Sequence, residues 1–375
     1  MEHGSRGYER DPPKRAELLT IEIVERQLRD DRRTWLVSGA AGFIGSHLCE
    51  QLLVLGQRVV AVDNFDTGTH ANIAALVRAA EERGAVDADD RLVVIEVDIR
   101  DFDGLRHACT DVDHVLHHAA IASVPRTIAE PMTGHTVNVD GSFHLLEAAR
   151  LAGVKSFVHA SSSAVYGDCP GDPETGAQHE QSVGRPLSPY GAHKRIAEIL
   201  GQTATRTHAL PVAALRYFNI VGARQDPSGA YAAVIPKWVA LLAKGEQPTI
   251  FGDGLNTRDF CPVEDVVQAN ILAATWHERR SIAARERPGD ASEAVFNIGL
   301  GGATTLLDLY AMIHAGMVEL GAPCADIRPL YEDFRPGDII HSRADISRAR
   351  AELGYSPRTS MQTALRRTMQ WLSAG

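Results

Sequence analysis

Short apolar bursts rich in β-branched residues alternate along this chain with longer stretches in which apolar positions recur every three or four residues. That alternation predicts strand, crossover helix and parallel strand in repeating order. The bursts place strands over residues 34–38, 58–63, 92–97, 114–118, 156–161 and 212–218. The intervals between them leave room for one helix each, for example over 43–56, 71–83 and 143–152. The expected fold class is α/β, an open, doubly wound parallel sheet of Rossmann type. Ahead of the sheet, residues 16–30 read as a capping helix and the residues before them as a tail without chemistry. Beyond Asn219 the pattern loosens, with Pro, Gly and Asp gathered at 225–229, 252–254 and 287–290 between shorter elements. This predicts a smaller C-terminal α/β lobe closing over the carboxyl edge of the sheet, where ligands of such folds bind.

Composition excludes several classes. With 375 residues, 44% of them hydrophobic and 23% charged, the chain has the makeup of an ordinary globular protein of one large domain or two interleaved ones. No apolar run is long enough to span a bilayer, and the polar start lacks a signal-peptide core, so no membrane association and a cytoplasmic location are expected. A formal charge of −10 argues against nucleic acid as a partner. Cys49, Cys109, Cys169, Cys261 and Cys324 are far apart and form no C-x-x-C pair, which reads as reduced packing residues. His117 and His118 have no partner at metal-ligand spacing, so no metal is expected.

The first strand runs into Gly39-Ala40-Ala41-Gly42-Phe43-Ile44-Gly45 and then a helix. Glycine is required where a backbone turns tightly, approaches a pyrophosphate or lets helix pack on strand, and the helix start offers N–H groups to phosphate. Asp63 ends the second strand, where a carboxylate can accept both hydroxyls of an adenosine ribose and repel a 2′-phosphate. NAD is therefore expected as cofactor, rather than NADP; the plainer reading makes Asp63 a turn residue with Asn64. Asp98, after the third strand, is placed to meet adenine, or else caps a helix before Asp101. Ala119 and Ala120, after the fourth strand, are small enough for a flat cofactor to lie against the backbone.

Tyr190 and Lys194 are four apart at the start of a helical stretch and share one face. A nearby ammonium stabilises phenolate and lowers the tyrosine toward the working range of a general base. The fifth strand ends in Ser161-Ser162-Ser163, where a hydroxyl can point over the sheet edge at a reacting carbinol or merely bond to backbone. Ser162 is the candidate.

Taken together, the glycine turn, Asp63, the serine turn, Tyr190-x-x-x-Lys194 and Arg216-Tyr217-Phe218-Asn219 resemble the extended short-chain dehydrogenase/reductase family of NAD-dependent sugar-nucleotide epimerases and dehydratases. The similarity covers about residues 34–371. Within the family, Ser123-Val124-Pro125-Arg126 and the run from Arg224-Gln225-Asp226-Pro227 through Ala233-Val234-Ile235-Pro236 most resemble bacterial UDP-N-acetylglucosamine 4-epimerases. The resemblance implies a dinucleotide domain over 34–218, after a tail and capping helix over 1–33, and a partly interleaved UDP-sugar lobe over 219–375. It implies Tyr190 as the base at the sugar 4-hydroxyl, Ser162 as its assistant and Lys194 as the ribose-binding residue that tunes it. Cofactor contacts would come from Gly39, Gly42, Phe43, Ile44, Gly45, Asp63, Asn64, Asp98, Ile99, Ala119, Ala120 and Phe218. Substrate contacts would come from Ser123, Ser163, Asn219, Ala233, Val234, Lys237, Arg258, Arg335 and Asp338, the arginines suiting diphosphate by their planar fork. Read without the resemblance, Arg258 and Arg335 are solvated loop charges. The family's common pattern has one histidine where this chain has His117-His118, which bears on the cofactor wall.

The implied reaction passes a hydride from C4 of the hexose to bound NAD, turns the 4-keto sugar over, and returns the hydride to its other face. A UDP-glucose 4-epimerase and a sugar-nucleotide 4,6-dehydratase are the alternatives; dehydratases carry an Asp-Glu pair after the catalytic hydroxyl, where this chain has Ser163-Ala164. A non-catalytic NAD-binding regulator would lack Tyr190 or Lys194. Relatives restricted to plain hexoses place a tyrosine seven residues after the diphosphate-binding arginine, and the matching residue here is Ser342, which leaves room for an N-acetyl group unless it is an ordinary loop serine. Relatives also pair through two helices, so a homodimer is expected.

Overall fold

The computed structural model describes residues 20–227, 233–283, 294–334 and 341–374. The predicted tail, residues 16–19 of the expected capping helix, the Pro, Gly and Asp cluster at 287–290, residues 228–229 of the cluster at 225–229, and the site candidates Arg335 and Asp338 lie outside the described residues. Along the chain, the strands of the first half are β1 (Thr34–Ser38), β2 (Arg58–Asp63), β3 (Leu92–Glu96), β4 (His114–His117), β5 (Ser156–Ser162), β6 (Ala177–Gln178) and β7 (Val212–Tyr217). Those that follow are β8 (Asn219–Val221), β9 (Thr249–Phe251), β10 (Thr257–Arg258), β11 (Phe260–Pro262), β12 (Val295–Ile298), β13 (Thr304–Thr305), β14 (Leu330–Glu332) and β15 (His341–Ala344).

Seven of these strands make the central parallel sheet, in the order β12-β7-β5-β4-β1-β2-β3. Chain order runs outward in both directions from β1, so the strand sequence reverses between β1 and β4. A crevice opens at such a switch point over the carboxyl ends of the strands. Alternate residues of β1 enter different apolar layers: Trp35 and Val37 join one, Leu36 the other. The β1, β4 and β7 strands are almost wholly buried, as expected where helices cover both faces, whereas the edge strand β3 exposes Val93 and Val94.

The helices fill the intervals the pattern left for them: α1 (Ile21–Asp30), α2 (Phe43–Val54), α3 (His70–Glu82), α4 (Phe102–Ala108), α5 (Val124–Ala129), α6 (Pro131–His135), α7 (Ser142–Ala152) and α8 (Pro189–His208). The second half adds α9 (Val234–Ala243), α10 (Val263–Ala283), α11 (Leu306–Glu319) and α12 (Met361–Ala374). The α2 helix stops two residues short of the predicted end, because Gly56 takes a left-handed conformation (φ 79°) that ends the turn. The capping helix α1 buries Ile21, Val24 and Leu28 and packs on α10.

A separate apolar cluster unites α9, α11 and α12 through Trp238, Leu309, Ile313 and Leu365. It gives the C-terminal region its own core. Yet β12 and α10, from that same region, belong to the central sheet and its covering layer: Phe296, Ile298 and Ile271 pack with the first cluster. The periodicity marks six of the seven sheet strands and misses β12.

Candidate active site

A cavity of about 730 Å3 lies over the carboxyl ends of the sheet. Its floor is the β1–α2 turn. Gly39 adopts φ 71°, and a Cβ there would sit 2.7 Å from the Ala119 nitrogen; a Cβ on Gly45 would sit 2.0 Å from the Gly39 carbonyl oxygen. No side chain caps α2 after Gly42, so its amino end faces the cavity, which Gly39, Gly42, Phe43, Ile44 and Gly45 all line. An uncapped helix start behind a turn with no room for side chains is a cradle for a pyrophosphate.

Asp63 is buried at the cavity edge, and its oxygens accept N–H bonds from Ala41 at 2.9 Å and Phe65 at 2.8 Å. It therefore braces the glycine turn and its own loop together, and each oxygen keeps a further lone pair for a ligand hydroxyl. Asn64 donates to Asp98 at 2.8 Å, and Arg100 holds the other side of that carboxylate. The Arg100 bond is the main reason the Asp98 carboxyl is drawn down to about 2. The helix-cap alternative for Asp98 fails, since Asp101 caps α4 by accepting from the Gly104 N–H at 3.1 Å. Asn64, Asp98, Ile99, Ala119 and Ala120 also line the cavity.

The histidine pair divides. His117 is buried between Ser38 at 2.7 Å and Ser142 at 2.9 Å, and burial keeps it neutral. His118 is the one that lines the cavity; it meets the Tyr217 hydroxyl at 2.9 Å, and burial pushes it down to about 3. No group of three metal-ligating side chains occurs among the described residues.

Across β4 and β1 from Asp63 stands the second group. Ser188 caps α8 by accepting from the Gly191 N–H at 3.2 Å, which sets Tyr190 and Lys194 in its first turns, both facing the cavity. The structure also separates the three serines. Ser161 donates to Glu198 at 2.6 Å, Ser162 reaches Tyr190, and Ser163 starts a 3-10 turn away from the cavity. The Tyr190 phenol is shifted upward by burial, with the Ser162 hydrogen bond working against the rise. That net direction is opposite to the one expected from the Lys194 charge. Lys194 is itself buried, which lowers it to about 8, and its Nζ stands 5.8 Å from the Tyr190 ring centre. Desolvation opposes the charged form of each group and sets the direction of both shifts.

On the remaining wall stand Phe218, Asn219, Ala233, Val234 and Arg258. Asn219 is fixed by two bonds to the Asp259 carbonyl, from its N–H at 3.0 Å and its side chain at 3.2 Å. Arg258 is no loop charge: it lies on β10, half-buried, paired in register with the buried Ser342 of β15. Four candidates do not line the cavity: Ser342, Ser123, which caps α5, Ser163, and Lys237, which is exposed on α9. Ser161, Arg126, Arg100, His118, Tyr217 and Gln225 do line it, and none of them was among the expected contacts. Arg126 bonds Asp66 at 2.9 Å across the cavity edge. Only its place behind the Ser123 cap hinted at this, since the partner is sixty residues away.

Residues 35–299 match the model of the NAD dependent epimerase/dehydratase family. A UDP-glucose 4-epimerase of Mycolicibacterium smegmatis is 36% identical over 339 residues, 90% of this chain and 97% of that protein. Among solved structures, a UDP-N-acetylglucosamine 4-epimerase from Methanobrevibacter ruminantium, in complex with UDP-N-acetylmuramic acid, superposes with a TM-score of 0.78 at 34% identity, covering 92% of this chain and 99% of that one. A dTDP-glucose 4,6-dehydratase from Streptomyces venezuelae, solved with NAD, gives 0.73 at 30% identity, covering 90% and 96%. A cradle with no room for side chains, a buried carboxylate at the end of β2 and a family match over most of the sheet agree, and the chain belongs to the NAD-dependent epimerase/dehydratase family.

Proposed function

We propose that this protein is a UDP-sugar 4-epimerase that interconverts UDP-N-acetylglucosamine and UDP-N-acetylgalactosamine. One observation carries the choice of epimerase over dehydratase. The cavity holds Tyr190 with Ser162 beside it, but its only described carboxylates, Asp63, Asp66 and Asp98, belong to the loops after β2 and β3. Three strand spacings, about 14 Å, separate β5 from β2, so none of these can serve as the extra acid or base that loss of water requires.

In this reading Tyr190 takes the proton of the sugar 4-hydroxyl and returns it, while Ser162 hydrogen-bonds at the same oxygen. Bound NAD supplies a reversible hydride acceptor at C4. Lys194 holds the nicotinamide ribose, and its ammonium favours the phenolate. Asn219 and Arg258 orient the diphosphate, and Asp63 fixes the adenosine ribose at the far end.

The likeness to a structure named as a UDP-N-acetylglucosamine 4-epimerase supports the N-acetyl sugars; Ser342 lies outside the cavity lining, paired in register with the Arg258 that lines it, and bears on the choice only through that pairing. The relatives named as UDP-glucose 4-epimerases make plain UDP-hexoses the alternative. The proposal extends to a cytoplasmic homodimer that feeds surface polysaccharide synthesis. In its support, no described helix is long and apolar enough to cross a membrane, and α7 and α8 expose Phe143 and Ile199.

Three results are expected. Purified protein given UDP-N-acetylglucosamine without added reductant yields the 4-epimer by anomeric proton NMR, and Tyr190→Phe lowers that rate by about 100-fold or more with NAD still bound; a rate within tenfold of the parent contradicts the base assignment. Ser342→Tyr lowers turnover of the acetylated pair relative to UDP-glucose and UDP-galactose, a discrimination on the scale of about 1–3 kcal/mol; unchanged epimerisation of UDP-N-acetylglucosamine removes Ser342 as the determinant. Lys194→Met tests the buried ammonium. Because the folded Lys194 titrates at about 8 rather than 10.5, the unfolded chain binds more protons between those values and parent stability rises with pH there. Stripped of nucleotide, Lys194→Met should have the higher Tm at pH 7, with the gap narrowing from pH 8 to pH 10; a constant gap contradicts burial of the charge.

A further inference from the structure

The least exposed charges in the catalytic half of the molecule do not face the cavity. Glu198 is 0% exposed and Arg216 1%. Glu198 lies one helical turn beyond Lys194 on α8, and its carboxylate gathers four donors from three elements. Arg216 on β7 supplies two bonds at 2.8 Å, Arg195 on α8 one at 2.7 Å, and Ser161 on β5 one at 2.6 Å. Arg216 turns its other terminal nitrogen, Nη1, on the Tyr166 hydroxyl at 3.1 Å and the Glu180 carbonyl at 2.9 Å. Tyr166 in turn donates to Asn297 of β12 at 2.6 Å.

Each element tied here carries a site residue a short step from the tie. Ser161 precedes Ser162; Glu198 follows Lys194 by one turn and Tyr190 by two; Arg216 is two residues before Phe218 and three before Asn219. We propose that the Glu198–Arg216 pair, with Ser161, is the device that positions the Ser162 hydroxyl against Tyr190. Glu198 and Arg216 never touch substrate or cofactor; they are positioning residues. The physical case rests on rigidity. A bidentate guanidinium–carboxylate pair fixes both distance and angle, and inside a water-free core nothing competes for it. Ser161 transmits that fixed point to β5 through a hydroxyl whose bond to Glu198 sets the strand end from which Ser162 projects. A misplacement of about 1 Å at the reacting groups costs up to about 100-fold in rate.

A buried ion pair is weak evidence for stability, since apolar replacement of both partners is often neutral or stabilising. That separates positioning from a merely structural role. The inference rests on the 4-epimerase reading, which turnover by the parent protein tests first; a parent inactive on all UDP-hexoses overturns that reading and this inference with it. With an active parent, Ser161→Ala removes one link without stranding a charge. It should keep Tm and bound NAD near the parent's while kcat falls by about 10- to 100-fold and KM stays within about twofold. Ser161→Thr, which keeps the hydroxyl, should restore most of the loss. Glu198→Gln should lower both Tm and kcat; the double variant Glu198→Leu/Arg216→Met should recover Tm but not kcat. If kcat returns together with Tm in the double variant, or Ser161→Ala turns over within twofold of the parent, the positioning role is wrong. Should the double variant fail to fold, Ser161→Ala and its threonine rescue decide alone.

Discussion

A methyl group on Gly45 would stand 2.0 Å from the carbonyl oxygen of Gly39, and one on Gly39 would stand 2.7 Å from the Ala119 nitrogen. No side chain fits either place, so helix α2, strand β1 and the end of β4 close to backbone contact. The rest of the site follows from that closeness. It brings the uncapped start of α2 to the switch point of the sheet, where a dinucleotide can lie across the strand ends. It also sets the span: Asp63 at the end of β2 and Ser162 at the end of β5 are held by strands whose spacing is fixed by their hydrogen bonds, and α8, packed on β5, carries Tyr190 and Lys194.

Burial, more than pairwise charge, governs the catalytic flank. Lys194 is lowered to about 8 and Tyr190 is raised, both by desolvation. Each charged form is costly alone, so in a pocket of this kind a phenolate is favoured where an ammonium stands beside it. The fixed charges needed to hold such a pocket are kept behind it, in the satisfied Glu198–Arg216 pair, where they have no access to substrate.

Much of this was legible in the chain before folding. The runs that became β1, β2 and β5 are apolar and bounded by Gly, Asp or Ser, and their ends carry the glycine turn, Asp63 and Ser162, because a parallel sheet puts its chemistry at strand ends. What was hidden depends on contacts distant in sequence. The β12 strand is recognisable only beside β7. His118, rather than His117, faces the cavity because strand alternation sends His117 between Ser38 and Ser142. The upward shift of Tyr190 could not be read from a Tyr and a Lys four apart, since spacing reports their neighbourhood and not the loss of water around them. Ser161 and Ser162 look alike in sequence; only Glu198, thirty-seven residues on, tells them apart.

In the proposed epimerisation one hydroxyl pair, Ser162 with Tyr190, serves a sugar oxidised and reduced at the same carbon within one turnover. UDP-N-acetylglucosamine carrying deuterium at C4, given to the purified protein with no added nucleotide, distinguishes this from loss of water. The expected product is UDP-N-acetylgalactosamine that retains the label at C4. Label found at C6 of a dehydrated 4-keto sugar, or lost to solvent, would contradict it.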